Sequence, residues 1–190
     1  MALNLVLRCT GPLAWTYWLL GDTERAQILA VQAETLCRQL TVPPGRAFLQ
    51  GIHAYVAIAW VHLASGEAER ARQLLTPVLA AAETCGWEEA IAYGSLVVGR
   101  SLVACGDADQ AEQTLQRALQ VTHDVSLPGV AWKTHAALAD YYRGCQQMEA
   151  ATRHQVRAQT IMQQLATTLD DAAMRQRFLH AARSQLGEGL

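Results

Sequence analysis

Six histidines, five cysteines and a scatter of large aromatic side chains are the residues of this 190-residue sequence best equipped for chemistry. The histidines, His53, His62, His123, His135, His154 and His180, form no HExxH pair and no tight cluster with cysteine, so the spacing supports no metal centre. His53 and His62 are nine residues apart, which on a helix turns through about 900° and puts them on roughly opposite faces. Cys9, Cys37, Cys85, Cys105 and Cys145 are odd in number and widely spaced, without CxxC pairs or a disulfide framework. Cys37, Cys105 and Cys145 fall on apolar stripes or at tight turns and read as small core residues. A nucleophile needs a base and an orienting group beside it. No GxSxG elbow supplies one, and the adjacent His123 and Asp124 sit where a helix end is expected. Lys133, the only lysine, lies in GVAWKTH, outside any glycine-rich phosphate loop. These residues predict neither an enzyme nor a cofactor or metal site.

The aromatics point elsewhere. Trp, Tyr and Arg dominate binding hot spots because they bury much surface with few rotatable bonds and keep a polar tip. Here they recur at a fixed distance from a repeated glycine turn, so the elements that carry them come next.

Four segments share one pattern: LLGDTERA at 19–26, ASGEAERA at 64–71, ACGDADQA at 104–111 and RGCQQMEA at 143–150. Their terminal alanines, Ala26, Ala71, Ala111 and Ala150, are 45, 40 and 39 residues apart, a period near forty. In the fourth segment Cys145 occupies the glycine position, which marks that repeat as degenerate. Glycine reaches the left-handed conformation without a Cβ clash and so ends a helix. Asp22 or Thr23, Glu67 and Asp107 then supply acidic or capping groups to the next helix. The second helix of each unit carries an amphipathic stripe, such as Ala71, Leu75, Val78 and Ala82. The first helices, as in IHAYVAIAWVHLA, are apolar all round and predict burial between neighbouring hairpins. Breaks fall at VPPG (42–45), CGW (85–87) and SLPG (126–129). No strand pattern competes. TTLDDAAMRQRFLHAARSQL predicts a closing helix, with Thr168 and Asp171 as a capping box and Met174, Phe178 and Ala182 as its apolar stripe.

The expected architecture is all-α: about four helical hairpins at 12–41, 45–85, 87–124 and 127–167, with a closing helix at about 170–186, in one domain over 1–190. A hydrophobic content of 51% with 17% charged residues provides a continuous core. The net charge of −2 excludes the basic footprint that nucleic acid demands. MALNLVLRC is too short and too soon interrupted by Arg8 to be a signal or a span, so a cytoplasmic setting without membrane contact is expected.

These glycine and alanine positions resemble tetratricopeptide (TPR) repeats. A second small position, twelve residues after each turn, is filled by Ala33 and Ala118 but by Val78 and Arg157 in the other two units. The long period resembles the superhelical sensor regions of large bacterial signalling ATPases, including LuxR-type activators and ATPase-coupled adenylate or guanylate cyclases. LRCTGPLAWTYWLLGDTERA and the ending with Asp170, Asp171, Arg175, Arg177, Phe178 and Leu179 are similar to stretches of those regions. The resemblance implies a right-handed α-solenoid whose first helices line an inner groove. Trp15, Trp18, Trp60, Tyr93, Arg100, Trp132, His135 and Tyr142 then become the candidate groove residues, and Arg100 is the foremost of them because its charge is costly to bury unpaired.

The function this implies is a non-catalytic protein–protein or peptide interaction module, a regulatory scaffold, with the sensor part of a larger regulator as its setting. The partner is another protein, a peptide or another domain of a parent chain. Two alternatives stand beside it: a small-molecule sensor binding inside the superhelix, and a self-associating element that dimerises through an uncapped end.

Overall fold

The computed structural model describes residues 2–39 and 51–185, with side chains at 5–38 and 51–183. Nine helices make up the described residues: α1 (Ala2–Leu19), α2 (Thr23–Gln39), α3 (Ile52–Ala64), α4 (Ala68–Cys85), α5 (Glu88–Cys105), α6 (Ala108–Asp124), α7 (Pro128–Gly144), α8 (Met148–Thr167) and α9 (Ala172–Gln185). Eight of them pair as four consecutive hairpins, and α9 closes the stack on α8. The odd-numbered first helices stack on one another, α1 on α3, α3 on α5 and α5 on α7, while α4 and α6 also pack on the first helix of the next hairpin. The VPPG break lies outside the described residues.

The turn inside each hairpin is built the same way. Gly21, Gly66 and Gly106 take φ of 84°, 82° and 80°, the left-handed region. Each donates its N–H to the carbonyl three residues back, and the next residue donates to the carbonyl five back, as in Gly66 to Leu63 at 3.1 Å and Glu67 to His62 at 2.8 Å. In the fourth hairpin the residue in this role is Gln146, with φ 60°; it donates to Arg143 at 3.1 Å, and Gln147 donates to Tyr142 at 2.9 Å. Cys145 has φ −80° and still belongs to the helix end.

The fourth repeat is therefore displaced by one residue from the alignment that places Cys145 at the glycine position. Its alanine is Ala151, not Ala150, and its second small residue is Ala158, not Arg157. Ala26, Ala71, Ala111 and Ala151 are all at most 2% exposed, as are Ala33, Val78, Ala118 and Ala158. The same register aligns Ala14, Ala59, Gly99 and Ala139, four small residues seven places before the turn, all buried. At Gly99 the need for smallness is acute, since a Cβ there would stand 2.6 Å from Leu115 Cγ on the partner helix. The unit is degenerate only in having lost its glycine.

Other expectations are corrected in detail. Helix α1 begins at Ala2 and runs through Pro12, because Leu7 is fully buried and Gly11 lies so close to Ala54 that a Cβ would meet its carbonyl oxygen at 2.7 Å. Asp22 does cap α2, accepting from Arg25 N–H at 3.2 Å. Glu67 and Asp107 make no side-chain cap. At α9 the cap is Asp171, which accepts from Met174 N–H at 2.7 Å, while the Thr168 hydroxyl turns back to donate to the Leu165 carbonyl. Met174 is exposed, and α9 docks instead through Phe178 and Ala182 against Trp132, Ala158 and Met162. Arg175 donates to the Ala166 and Leu169 carbonyls at 3.2 and 2.7 Å, covering the open end of α8. Cys37 is buried with its thiol on the Tyr55 hydroxyl, but Cys105 and Cys145 are exposed, each at a helix end beside a turn.

Candidate functional site: a ladder of rings and cations along the first helices

One position, six residues before each turn, lies on the exposed side of the stacked first helices. It is Trp15 in α1, Trp60 in α3, Arg100 in α5 and, in the corrected register, Asp140 in α7. Trp15 and Trp60 approach with ring centroids 5.9 Å apart, and the Arg100 guanidinium lies over the Trp60 ring at 5.1 Å. The contacts run hairpin to hairpin because the stacking of α1, α3 and α5 brings equivalent positions into register, so one side chain per repeat makes a continuous row.

Beside this row lies a half-open pocket of about 210 Å³, walled by Trp15, Trp60, Leu63, Arg100, Trp132, Lys133 and Ala136. Trp132 is 4% exposed and forms its floor, with the Lys133 ammonium over its ring at 5.6 Å. Two cations thus share one small apolar pocket. Burial pushes the Arg100 guanidinium below its ordinary range, opposed by the field of Asp140. Burial likewise lowers the Lys133 ammonium, and the charge of Arg100 lowers it further. Among the described residues no carboxylate comes within ion-pairing distance of either cation; Asp140 is held by Arg143 at 2.7 Å. Each cation rests on an indole face instead, a weaker substitute for an anion.

Of the eight groove candidates, Trp15, Trp60, Arg100 and Trp132 line this pocket together. Tyr93 lines a neighbouring space of about 420 Å³ that shares Trp132 and Lys133 and reaches Phe178 and Ala182 of α9. Trp18 is half-buried and packs on the core beside the row. His135 and Tyr142 are not on this face. Tyr142 is 8% exposed, donates its hydroxyl to Glu112 at 2.5 Å and stacks on His154 at 5.4 Å. His135 faces His154, Nδ1 to Nδ1 at 2.9 Å. Both belong between α7 and the second helices, and the one-residue displacement of the fourth turn explains the error: Tyr142 is the equivalent of Tyr17, His62 and Leu102, not of Trp18. Lys133 stands thirteen residues before Gln146, as His53 and Tyr93 stand before Gly66 and Gly106, whereas counting from Cys145 puts Trp132 in that place.

A larger space of about 770 Å³ lies on the other face, between α2 and α4. Its charges are satisfied internally. Glu34, nearly buried, accepts from Arg38 at 2.6 Å and from Arg70 Nε at 2.8 Å, and His62 Nδ1 lies 2.8 Å from Glu67. Hydrogen bonds from the two arginines hold the Glu34 carboxyl below its ordinary range despite burial. His62 Nε2 is 3.2 Å from Glu34 Oε2 but misaligned for a hydrogen bond. This network ties the first hairpin to the second. Among the described residues no group of three or more His, Cys, Asp or Glu is arranged to hold a metal, and no helix is long and apolar enough to cross a membrane.

Fold and site together define an all-α solenoid of TPR-like hairpins. Among solved structures it is similar to the apo form of RapI, with a TM-score of 0.63 and 17% identity over 100% of this chain and 50% of that one. It is also similar to BtubC from P. vanneervenii, with a TM-score of 0.63 and 16% identity over 98% of this chain and 75% of that one. A kinesin light chain-type protein of Podosopora anserina with nearly identical TPR-like repeats matches at 0.62 and 18% identity, covering 99% of this chain and 89% of that one. The chain thus spans half the length of RapI. At these identities the likeness is one of fold. No family model and no curated protein matches the sequence.

Proposed function

We propose that the chain is a non-catalytic interaction module that receives a peptide or helix of a partner protein, or of another domain of its own parent, along the exposed side of its first helices in the cytoplasm. The observation that carries this reading is the ladder Trp15–Trp60–Arg100: one hot-spot side chain per hairpin, aligned across three repeats, its cation without a carboxylate in ion-pairing distance among the described residues. We extend the proposal to the role of sensor in a larger regulator, of the kind joined to a LuxR-type activator or a cyclase; it is supported by the same face, since an occupant that bridges hairpins biases their relative packing.

Peptide display against the whole chain tests this. Selected peptides should bind Trp15→Ala and Arg100→Ala about tenfold or more weakly than the parent. They should bind Arg117→Ala, whose exposed pair with Glu83 lies on the second helices, as the parent does. Each variant's melting temperature reports whether it is folded. Selected peptides that ignore both ladder variants while those remain folded refute the reading.

A specific observation also favours self-association: Leu5, Val6, Leu13, Ile28 and Val31 of the first hairpin are 44% exposed or more, an apolar surface that the other described residues leave open.

A further inference from the structure

We infer that the pocket lined by Trp15, Trp60, Trp132, Arg100 and Lys133 is a binding site for a small aromatic carboxylate. The inference rests on the same face as the interaction reading but concerns a different ligand, one of a size to be enclosed rather than laid along the row.

Size comes first. Pockets for drug-sized molecules run to about 300–1,000 Å³, and this one holds about 210 Å³. It suits a single ring with a short acidic arm. Shape follows from the walls, which include three indoles, one of them 4% exposed at the floor. Such walls favour a flat apolar body, packed by stacking and edge contact.

Charge selects the arm. Arg100 and Lys133 repel one another across the pocket, and each is partly stripped of water with no carboxylate in ion-pairing distance among the described residues. A carboxylate between them replaces two cation–indole contacts by charge-assisted hydrogen bonds and cancels the repulsion. A guanidinium fork matches a planar carboxylate in two parallel bonds, and it takes two oxygens of a phosphate equally well. A phosphate, however, brings a third oxygen and a second charge that call for further donors, such as the backbone N–H groups of a helix N-terminus. The lining residues come from helix interiors and from the C-terminal end of α3, so the pocket offers no such donors. A neutral amide of the same shape leaves both charges uncompensated.

The test is isothermal titration of the whole chain with benzoate, phenylacetate and 3-phenylpropionate, each beside its amide, and with phenyl phosphate. At least one acid should bind with Kd below about 1 mM, and its amide at least about tenfold more weakly, a difference of about 1.4 kcal/mol. Arg100→Gln and Lys133→Gln should each weaken the acid about tenfold and leave the amide unchanged, whereas Arg117→Gln alters nothing. The acid should also raise the melting temperature of the parent by mass action. The inference is overturned if acids and amides bind alike, if phenyl phosphate binds more tightly than every acid, or if no acid binds at about 5 mM. Should either glutamine variant unfold, the acid-to-amide ratio on the parent still decides. Acid binding without any effect of the ladder variants on peptide capture sinks the interaction reading and leaves this one standing; the converse result does the opposite.

Discussion

Moving a glycine into the fourth turn tests the register of the whole repeat. Gln146 holds φ 60° where the first three hairpins have glycine. A residue with a Cβ in that region carries a strain of about 1–2 kcal/mol. Gln146→Gly relieves it but returns about 0.4–1 kcal/mol through the larger freedom of glycine in the unfolded chain. The net gain is roughly 0.5–1 kcal/mol, or about 1–4 °C in melting temperature for a chain of this size. Cys145→Gly should do the reverse, losing about 1 kcal/mol, because Cys145 sits at φ −80°, where glycine gains nothing, and its thiol meets the Tyr141 hydroxyl. Gly106→Gln is the mirror experiment. No atom stands within 4 Å of a Cβ there, so its cost of about 1 kcal/mol is conformational alone. Urea unfolding followed by helical circular dichroism measures all three. If Cys145→Gly stabilises and Gln146→Gly does not, the displaced register is wrong, and with it the assignment of Ala151, Ala158 and Asp140 to their repeat positions.

Two further outcomes follow from contacts elsewhere. The His135 imidazole is pushed down to about 4, by burial first and then by His154 and Arg157. Its folded value lies below the unfolded one, so its contribution to stability is complete above about pH 6.5 and drains away as pH falls toward 4; an NMR titration of the His135 ring with a midpoint near 6.5 contradicts this. At the second contact, Gly99→Ala should cost about 1–3 kcal/mol by forcing a methyl against Leu115. Leu115→Ala in the same chain should make Gly99→Ala nearly neutral, and a double-mutant cycle without coupling removes the packing explanation.

Much of this fold is legible in the sequence because glycine and alanine have opposite and strong reasons for their places. Gly21, Gly66 and Gly106 mark turns that few other residues enter cheaply, and Ala26, Ala71 and Ala111 mark crossings too close for a longer side chain. Gln146 carries no such mark. Its left-handed backbone is imposed by the helices on either side, and the Gly144–Cys145 pair draws the alignment one place too early. The small residues Ala139, Ala151 and Ala158, taken together, carry the signal that restores it. The site divides along the same line. Trp15, Trp60 and Arg100 lie in units whose turns are readable, so counting back from the glycine puts them on one face. Tyr142 and His135 lie in the unit whose turn is not, and the count misplaces both; it gives Lys133 of the same unit no place on the row. That Trp132 is a floor depends on α8 and α9 packing against it, and that Trp18 is a half-buried neighbour depends on the packing of α1 against α2 and α3; spacing encodes neither. The Glu34–Arg70–His62 network joins three helices through side chains far apart in sequence, and no local pattern announces it.

The ladder has unlike ends. It begins on two indoles at the first and second hairpins, continues to a guanidinium at the third, and finishes at the fourth on Asp140, paired with Arg143. An extended object laid along it meets grease at one extremity and fixed charge at the other. A molecule with its own apolar and ionic ends therefore has one favourable direction of travel through the groove, and the reverse orientation sets its charge on indole and its apolar part on ions. Polarity along the row, more than any single rung, gives this surface a reading direction.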